Sequence, residues 1–335
     1  MNPLRSTVLH TSLLVLGAAA AAFAFTKERA PVSAAQESSV VIWNGRSSDI
    51  QRIVYEAKDK RIDLESRDDK KSPRWFLGRG DYTIMPPLNP DGGATAPIKK
   101  TSAFAAVTLG NRIADALVPL KAVRALGKIP DSRLAEFGFE KRESSLTVTF
   151  GGKEHKLLVG AVAPGGTDYY VIDPSNNEAY VIRAEFLREL EGGDNRLLER
   201  DTHAFKDVDI RSAKVIASGK TRELVRGGPD TKKFWADPAE KDKPDETAGN
   251  WLSKIDRLKV SEYVDKAPEG QTPVLRVEYY GAPGQLGFFE LARGPAVASG
   301  QKADYWIMTE HTHLWGKVYQ VTAEQIEQDV GSVVK

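Results

Sequence analysis

Glu310-His311-Thr312-His313 is the stretch of this sequence where ligand-type side chains crowd together. Histidines two apart on a strand share a face, so His311 and His313 with a nearby carboxylate could hold a metal ion. His155 and His203 stand singly among charged neighbours, which reads as solvent-facing. The paired glycines at 151–152, 165–166, 192–193 and 227–228 complete neither GxGxxG nor GxxxxGK[ST], so they read as turns rather than phosphate cradles. Ser144-Ser145 and the other serines lie outside any GxSxG elbow. Asp68-Asp69 sits in the mixed charge run from Glu56 to Arg74, a pattern of solvated surface rather than of an acid–base pair. The absence of cysteine excludes disulfides, thiolate chemistry, zinc fingers and a lipid-bearing cysteine. These motifs assign no catalytic residue, no cofactor and no metal ligand set.

Aromatic residues offer a second kind of chemistry. Tyr169, Tyr170, Tyr305, Trp306 and Trp315 fall along two late hairpins, where alternation sends one member of each adjacent pair inward. The others, with Tyr170, Trp306 and Trp315 as the candidate binding surface, could form a platform for a glycan or peptide. The same pattern also reads as cross-strand packing and an interface between modules.

The elements that would position these residues recur. Asp209-Ile210 lies 160 residues after Asp49-Ile50, and Trp235 lies 160 after Trp75. Between them run two alternating strands in each half, Ile53–Tyr55 and Arg61–Glu65, then Ala213–Ala217 and Arg222–Arg226. Ile113, Leu117, Leu120 and Val123 form one helical apolar face, and Trp251, Ile255 and Leu258 form its counterpart. Leu258 follows Leu120 by only 138 residues, so the first half carries an insertion. That insertion spans Met85 to Pro97 and is a loop by composition. Leu146–Phe150 and Leu275–Tyr279 alternate strictly, as half-buried strands do. They lead to returning strands at Lys156–Val159 and Gly287–Leu291. Asp168–Ile172 with Ala179–Ile182 then matches Asp304–Met308 with Val318–Val321, and helices open at Ala184-Glu185 and Ala323-Glu324.

The expected fold is therefore α+β: two tandem diverged repeats of a β-β-α-β-β-β-β-α module with antiparallel sheets. The expected units are 1–29, an anchor or signal segment; 30–44, a linker; 45–204, the first module; and 205–335, the second. In this alignment residues 310–313 occupy the place of Asp173–Asn177, a hairpin turn, so the histidine cluster is expected at a solvated hairpin tip.

Arg5 precedes an apolar stretch from Val8 to Phe25, whose uninterrupted part is Leu13–Phe25. A spanning helix needs about 20 residues and a signal core about 7–15, so a retained anchor and a cleaved signal both fit. Either places the bulk of the chain outside the cytoplasm. The 335 residues carry 47 basic and 46 acidic side chains, net +1, without the basic surplus that nucleic-acid binding demands.

Phe137-Gly138-Phe139, Leu158-Val159-Gly160, Asp168-Tyr169-Tyr170-Val171 and Ala179-Tyr180-Val181-Ile182 before a helix resemble an uncharacterised bacterial envelope family, domain of unknown function 4340, over roughly 45–325. The resemblance implies one inner-membrane span, a duplicated periplasmic domain and partners among ABC-transporter components of the gliding-motility or auxiliary-transport type. It carries no catalytic residue to this sequence. The alanine-rich apolar segment and the Pro/Gly insertion depart from the family's plan. The expected function is that of a non-enzymatic, membrane-tethered accessory or scaffold protein. The alternative is an extracytoplasmic binding protein holding a glycan or peptide between its modules.

Overall fold

A computed structural model of the chain describes residues 40–68, 73–86, 96–141, 143–229, 231–295 and 302–335. The expected N-terminal helix lies outside them. No helix among the described residues is long and apolar enough to cross a membrane.

The first half contains β1 (Val40–Trp43), β2 (Ile50–Glu56), β3 (Lys60–Arg67), β4 (Trp75–Ile84), β5 (Ile98–Ala106), α1 (Thr108–Leu117), β6 (Leu120–Gly127), β7 (Ser144–Phe150), β8 (Lys153–Val162), β9 (Asp168–Asp173), β10 (Glu178–Arg183), α2 (Glu185–Gly192) and α3 (Asp194–Leu197). The second half contains β11 (Ser212–Ala217), β12 (Lys220–Gly227), β13 (Phe234–Ala236), α4 (Glu246–Asp256), β14 (Val260–Val264), β15 (Thr272–Gly281), β16 (Gly284–Arg293), β17 (Tyr305–Thr309), β18 (Trp315–Val318) and α5 (Gln320–Val333). The fold is α+β, and every pairing between described strands is antiparallel.

In the first half the hydrogen-bonded order is β5-β4-β3-β2-β7-β8-β9-β10-β6-β1. In the second it is β13-β12-β11-β15-β16-β17-β18-β14. A single bridge, Tyr263 to Ala103, joins β14 to β5 and makes one continuous sheet order. The alternation predicted for Leu146–Phe150 and Leu275–Tyr279 has a plain cause. Leu146, Val148, Leu275, Val277 and Tyr279 point into the core. Buried residues of both halves form one contiguous apolar cluster. Ile113, Ala114 and Leu117 of α1 enter it, as do Trp251, Leu252 and Ile255 of α4. Each such large apolar side chain removed from water contributes about 1.5–3 kcal/mol.

Three expectations change. Leu120 and Val123 do not extend the first helix: it ends at Leu117, and Leu120 opens β6. Pro119 cannot continue a helix, and β6 is taken up by hydrogen bonding to β10 and β1. The helix of the second half likewise ends at Asp256, with β14 following. Trp75 and Trp235, expected at the end of the two-strand runs, lie on separate strands of their own, β4 and β13. The last return strand is Trp315–Val318 rather than Val318–Val321, since α5 begins at Gln320. Part of the Met85–Pro97 loop lies outside the described residues. Its flanks are the long strands β4 and β5, paired from Phe76–Ala106 to Ile84–Ile98.

Candidate functional site at the junction of the halves

The turn between β17 and β18 is built on two buried threonines. Thr309 Oγ1 accepts the N–H groups of Thr312 at 3.0 Å and of His311 at 3.2 Å, while Thr312 Oγ1 accepts that of Thr309 at 3.0 Å. Thr309 is 1% and Thr312 0% exposed, so the expectation of a solvated hairpin tip does not hold. The hairpin is driven into the seam between the halves, and its polar side chains find partners there.

Each of those side chains clasps a different group. The Glu310 carboxylate lies 2.9 Å from His203 Nδ1 and accepts the Phe288 N–H at 2.9 Å. It occupies space that any side chain at position 287 would fill, since a Cβ on Gly287 would come within 2.2 Å of it. His311 Nε2 is 3.5 Å from Glu199 Oε2. His313, in the left-handed region at φ 57°, stacks on Trp75 of β4 with ring centroids 4.7 Å apart and planes 3° from parallel. Residues from both halves and from the segment joining them therefore meet at one hairpin tip.

Glu199 is the knot of the joining segment. Its N–H donates to Ala105 O at 2.8 Å, and its C=O accepts the Tyr263 hydroxyl at 2.9 Å, tying β5 to β14 through one residue. Its carboxylate accepts N–H groups from Thr108, Arg200 and Asp201. Thr108 is the first residue of α1, so the charge also faces the positive end of a helix dipole. Burial acts to raise the carboxyl, but hydrogen bonds from His311, Thr108 and Asp201 outweigh it and bring its pKa down to about 2. No sequence motif marks Glu199; the only available signal was its place beside the expected boundary between modules.

The lone histidines also differ from expectation. His203 does not face solvent: it stacks on Phe205 at 4.5 Å and meets Tyr279 edge-on at 5.1 Å. With Nδ1 on Glu310, its Nε2 is buried without a hydrogen-bond partner among the described residues, as is the Tyr279 hydroxyl. His155 is half-buried, stacked on Phe150 at 4.1 Å and tilted against Trp43, and burial lowers its pKa. In both cases one ring close in sequence and one distant in it, Phe205 and Tyr279 for His203, Phe150 and Trp43 for His155, create the burial.

Below the knot the halves part. A cleft of about 510 Å³ opens where β5 and β14 diverge, lined among others by Arg79, Lys100, Asp194, Arg200, Glu262 and Asp265. Arg79 reaches across it to Asp265 at 3.5 Å. Asp194 accepts the Tyr82 hydroxyl at 2.8 Å and returns its own N–H to that oxygen at 2.9 Å.

The aromatic candidates do not converge on this cleft. Tyr170 is half-buried in a separate small cluster, edge-on to Phe137 at 4.9 Å. Trp306 is 9% exposed, with the Lys317 ammonium 5.9 Å from its ring. Trp315 is half-buried on β18, opposite Val264. Eight strands separate β9 from β17 along the sheet order, and no ring contact joins Tyr170 to either tryptophan among the described residues. No three His, Cys, Asp or Glu side chains among the described residues are grouped so as to hold a metal ion.

Residues 110–273 match the family model described as Domain of unknown function (DUF4340). This is the family that the motifs between Phe137 and Ile182 resemble, although the matched span is narrower than 45–325. It runs from α1 into β15 and so crosses the joining segment, Glu199 and His203 included. No curated protein and no solved structure gives a match.

Proposed function

We propose that this protein is a non-enzymatic, membrane-tethered extracytoplasmic scaffold built from two diverged copies of one module, residues 45–204 and 205–335, serving a transport complex of the ABC-transporter type. The observation that carries the reading is the junction. A charged knot, a buried hairpin tip and a strand bridge hold the halves together without grouping a nucleophile with a base, which is the arrangement of a spacer rather than of a catalyst.

The duplication rests on strand pairing. β2, β3, β4, β7, β8, β9, β10 and β6 pair in the same order as β11, β12, β13, β15, β16, β17, β18 and β14. Among the described residues β5 has no counterpart in the second half, and it is the strand that meets the other module. The tether rests on the apolar stretch Val8–Phe25 and on the envelope family that the chain resembles; a cleaved signal would leave the same scaffold soluble in the periplasm.

The test is crosslinking in intact cells followed by recovery of the tagged full chain from membranes. The expected result is enrichment of transporter-type membrane subunits over a control envelope protein. Recovery of no membrane partner would contradict the proposal. The second reading, a binding protein, is favoured by the cleft between β5 and β14, whose polar walls suit a peptide better than the inward-turned Trp306 suits a glycan.

A further inference from the structure

The free part of β5 follows from its hydrogen bonds. Ala105 O is taken by Glu199 N–H, and Ala103 bridges to Tyr263. In an antiparallel strand alternate residues present both backbone groups to the same side. Residues 105, 103, 101 and 99 therefore aim their N–H and C=O groups away from β4, toward β14 and the cleft. β14 ends at Val264, so beyond Ala103 no described strand meets this side, and residues 98–101 are exposed. Thr101 and Lys99 thus offer two donor–acceptor pairs about 6.8 Å apart, the repeat of an extended chain.

We propose that this edge, from Ile98 to Ser102, takes up an extended segment of another polypeptide as an added strand, and that the segment carries carboxylates. The inference rests on the scaffold reading and names how a partner would be held. A peptide backbone reproduces the two-residue repeat of donors and acceptors, which a glycan does not. The edge is blunted against copies of itself: Lys99 and Lys100 hold no ion pair among the described residues, and self-pairing would set lysine against lysine. The same charges favour Asp or Glu at the positions of the incoming strand beside Lys99 and Lys100; in the cleft itself Arg79 and Arg200 are matched by Asp194, Glu262 and Asp265. At the hairpin end Ile84 and Ile98 are directly paired and 45% and 55% exposed, beside Met85 at 73%, an apolar rest for one side chain of that segment.

The test uses the full chain and two fluorescent peptides, acetyl-(Glu-Val)3-amide and acetyl-(Lys-Val)3-amide, with binding followed by anisotropy. Thr101→Pro removes an outward N–H and leaves the β4–β5 ladder intact. The double variant Lys99→Glu/Lys100→Glu reverses exposed charge without touching the backbone. The expected result is binding of the acidic peptide only, weakened at least tenfold by each variant at unchanged melting temperature. Four outcomes would overturn the inference: no binding of the acidic peptide, equal binding of the basic one, equal binding by both variants, or a dimer of the chain that Thr101→Pro abolishes. None of these bears on recovery of membrane partners by the wild-type chain, so the scaffold reading stands or falls separately.

Discussion

At the scale of single residues, Glu199 ties the two halves together by both its backbone and its carboxylate. Its folded-state pKa of about 2 lies below the ordinary 4.5, so its contribution is complete above pH 4.5 and lost as pH falls toward 2. The difference corresponds to about 3 kcal/mol at neutral pH. Glu199→Gln should lower unfolding stability by that order at pH 7 in urea titrations, with the gap to wild type shrinking steadily between pH 4.5 and 2. A gap that is constant with pH would mean that the charge is not what holds this segment. Such a residue is illegible in sequence because nothing local distinguishes it. Beyond its neighbours Arg200 and Asp201, its partners are Thr108, His311, Ala105 and Tyr263, brought together only by the fold. His203 was misread for the same reason: Lys206, Asp207 and Asp209 follow it closely in the chain, but its ring lies among Phe205, Tyr279 and Glu310.

At the scale of elements, alternation was readable wherever a strand had one wet and one dry face, as in β7 and β15. β6 was not, because Ile113, Leu117, Leu120 and Val123 fit a helical period and the strand gains its identity from hydrogen bonds to β10. The β17–β18 turn shows the converse limit. Polar composition predicts a wet hairpin tip, but Thr309 and Thr312 satisfy its backbone internally, which lets it be buried. Thr309→Val would leave the N–H groups of His311 and Thr312 without their acceptor, each at a cost of about 1–3 kcal/mol. A loss of about 2 kcal/mol or more is expected in chemical denaturation, and a loss under about 0.5 kcal/mol would contradict this account of the turn.

At the scale of the whole molecule, the α+β class and its antiparallel strands were legible, whereas the way the halves meet was not. The insertion that composition marks as a loop is flanked by β4 and β5, and β5 carries the bridge to β14. The halves form one body, clasped by Glu310, His311 and His313. The natural chain has no cysteine, so Val162→Cys and Val321→Cys, both at exposed positions in different halves, would place two spin labels cleanly. Electron–electron distance measurements should give one narrow distribution in the otherwise natural chain, broadened when Glu310, His311 and His313 are all changed to Ala. A broad distribution before those changes, or a narrow one that survives them, would contradict the clasp.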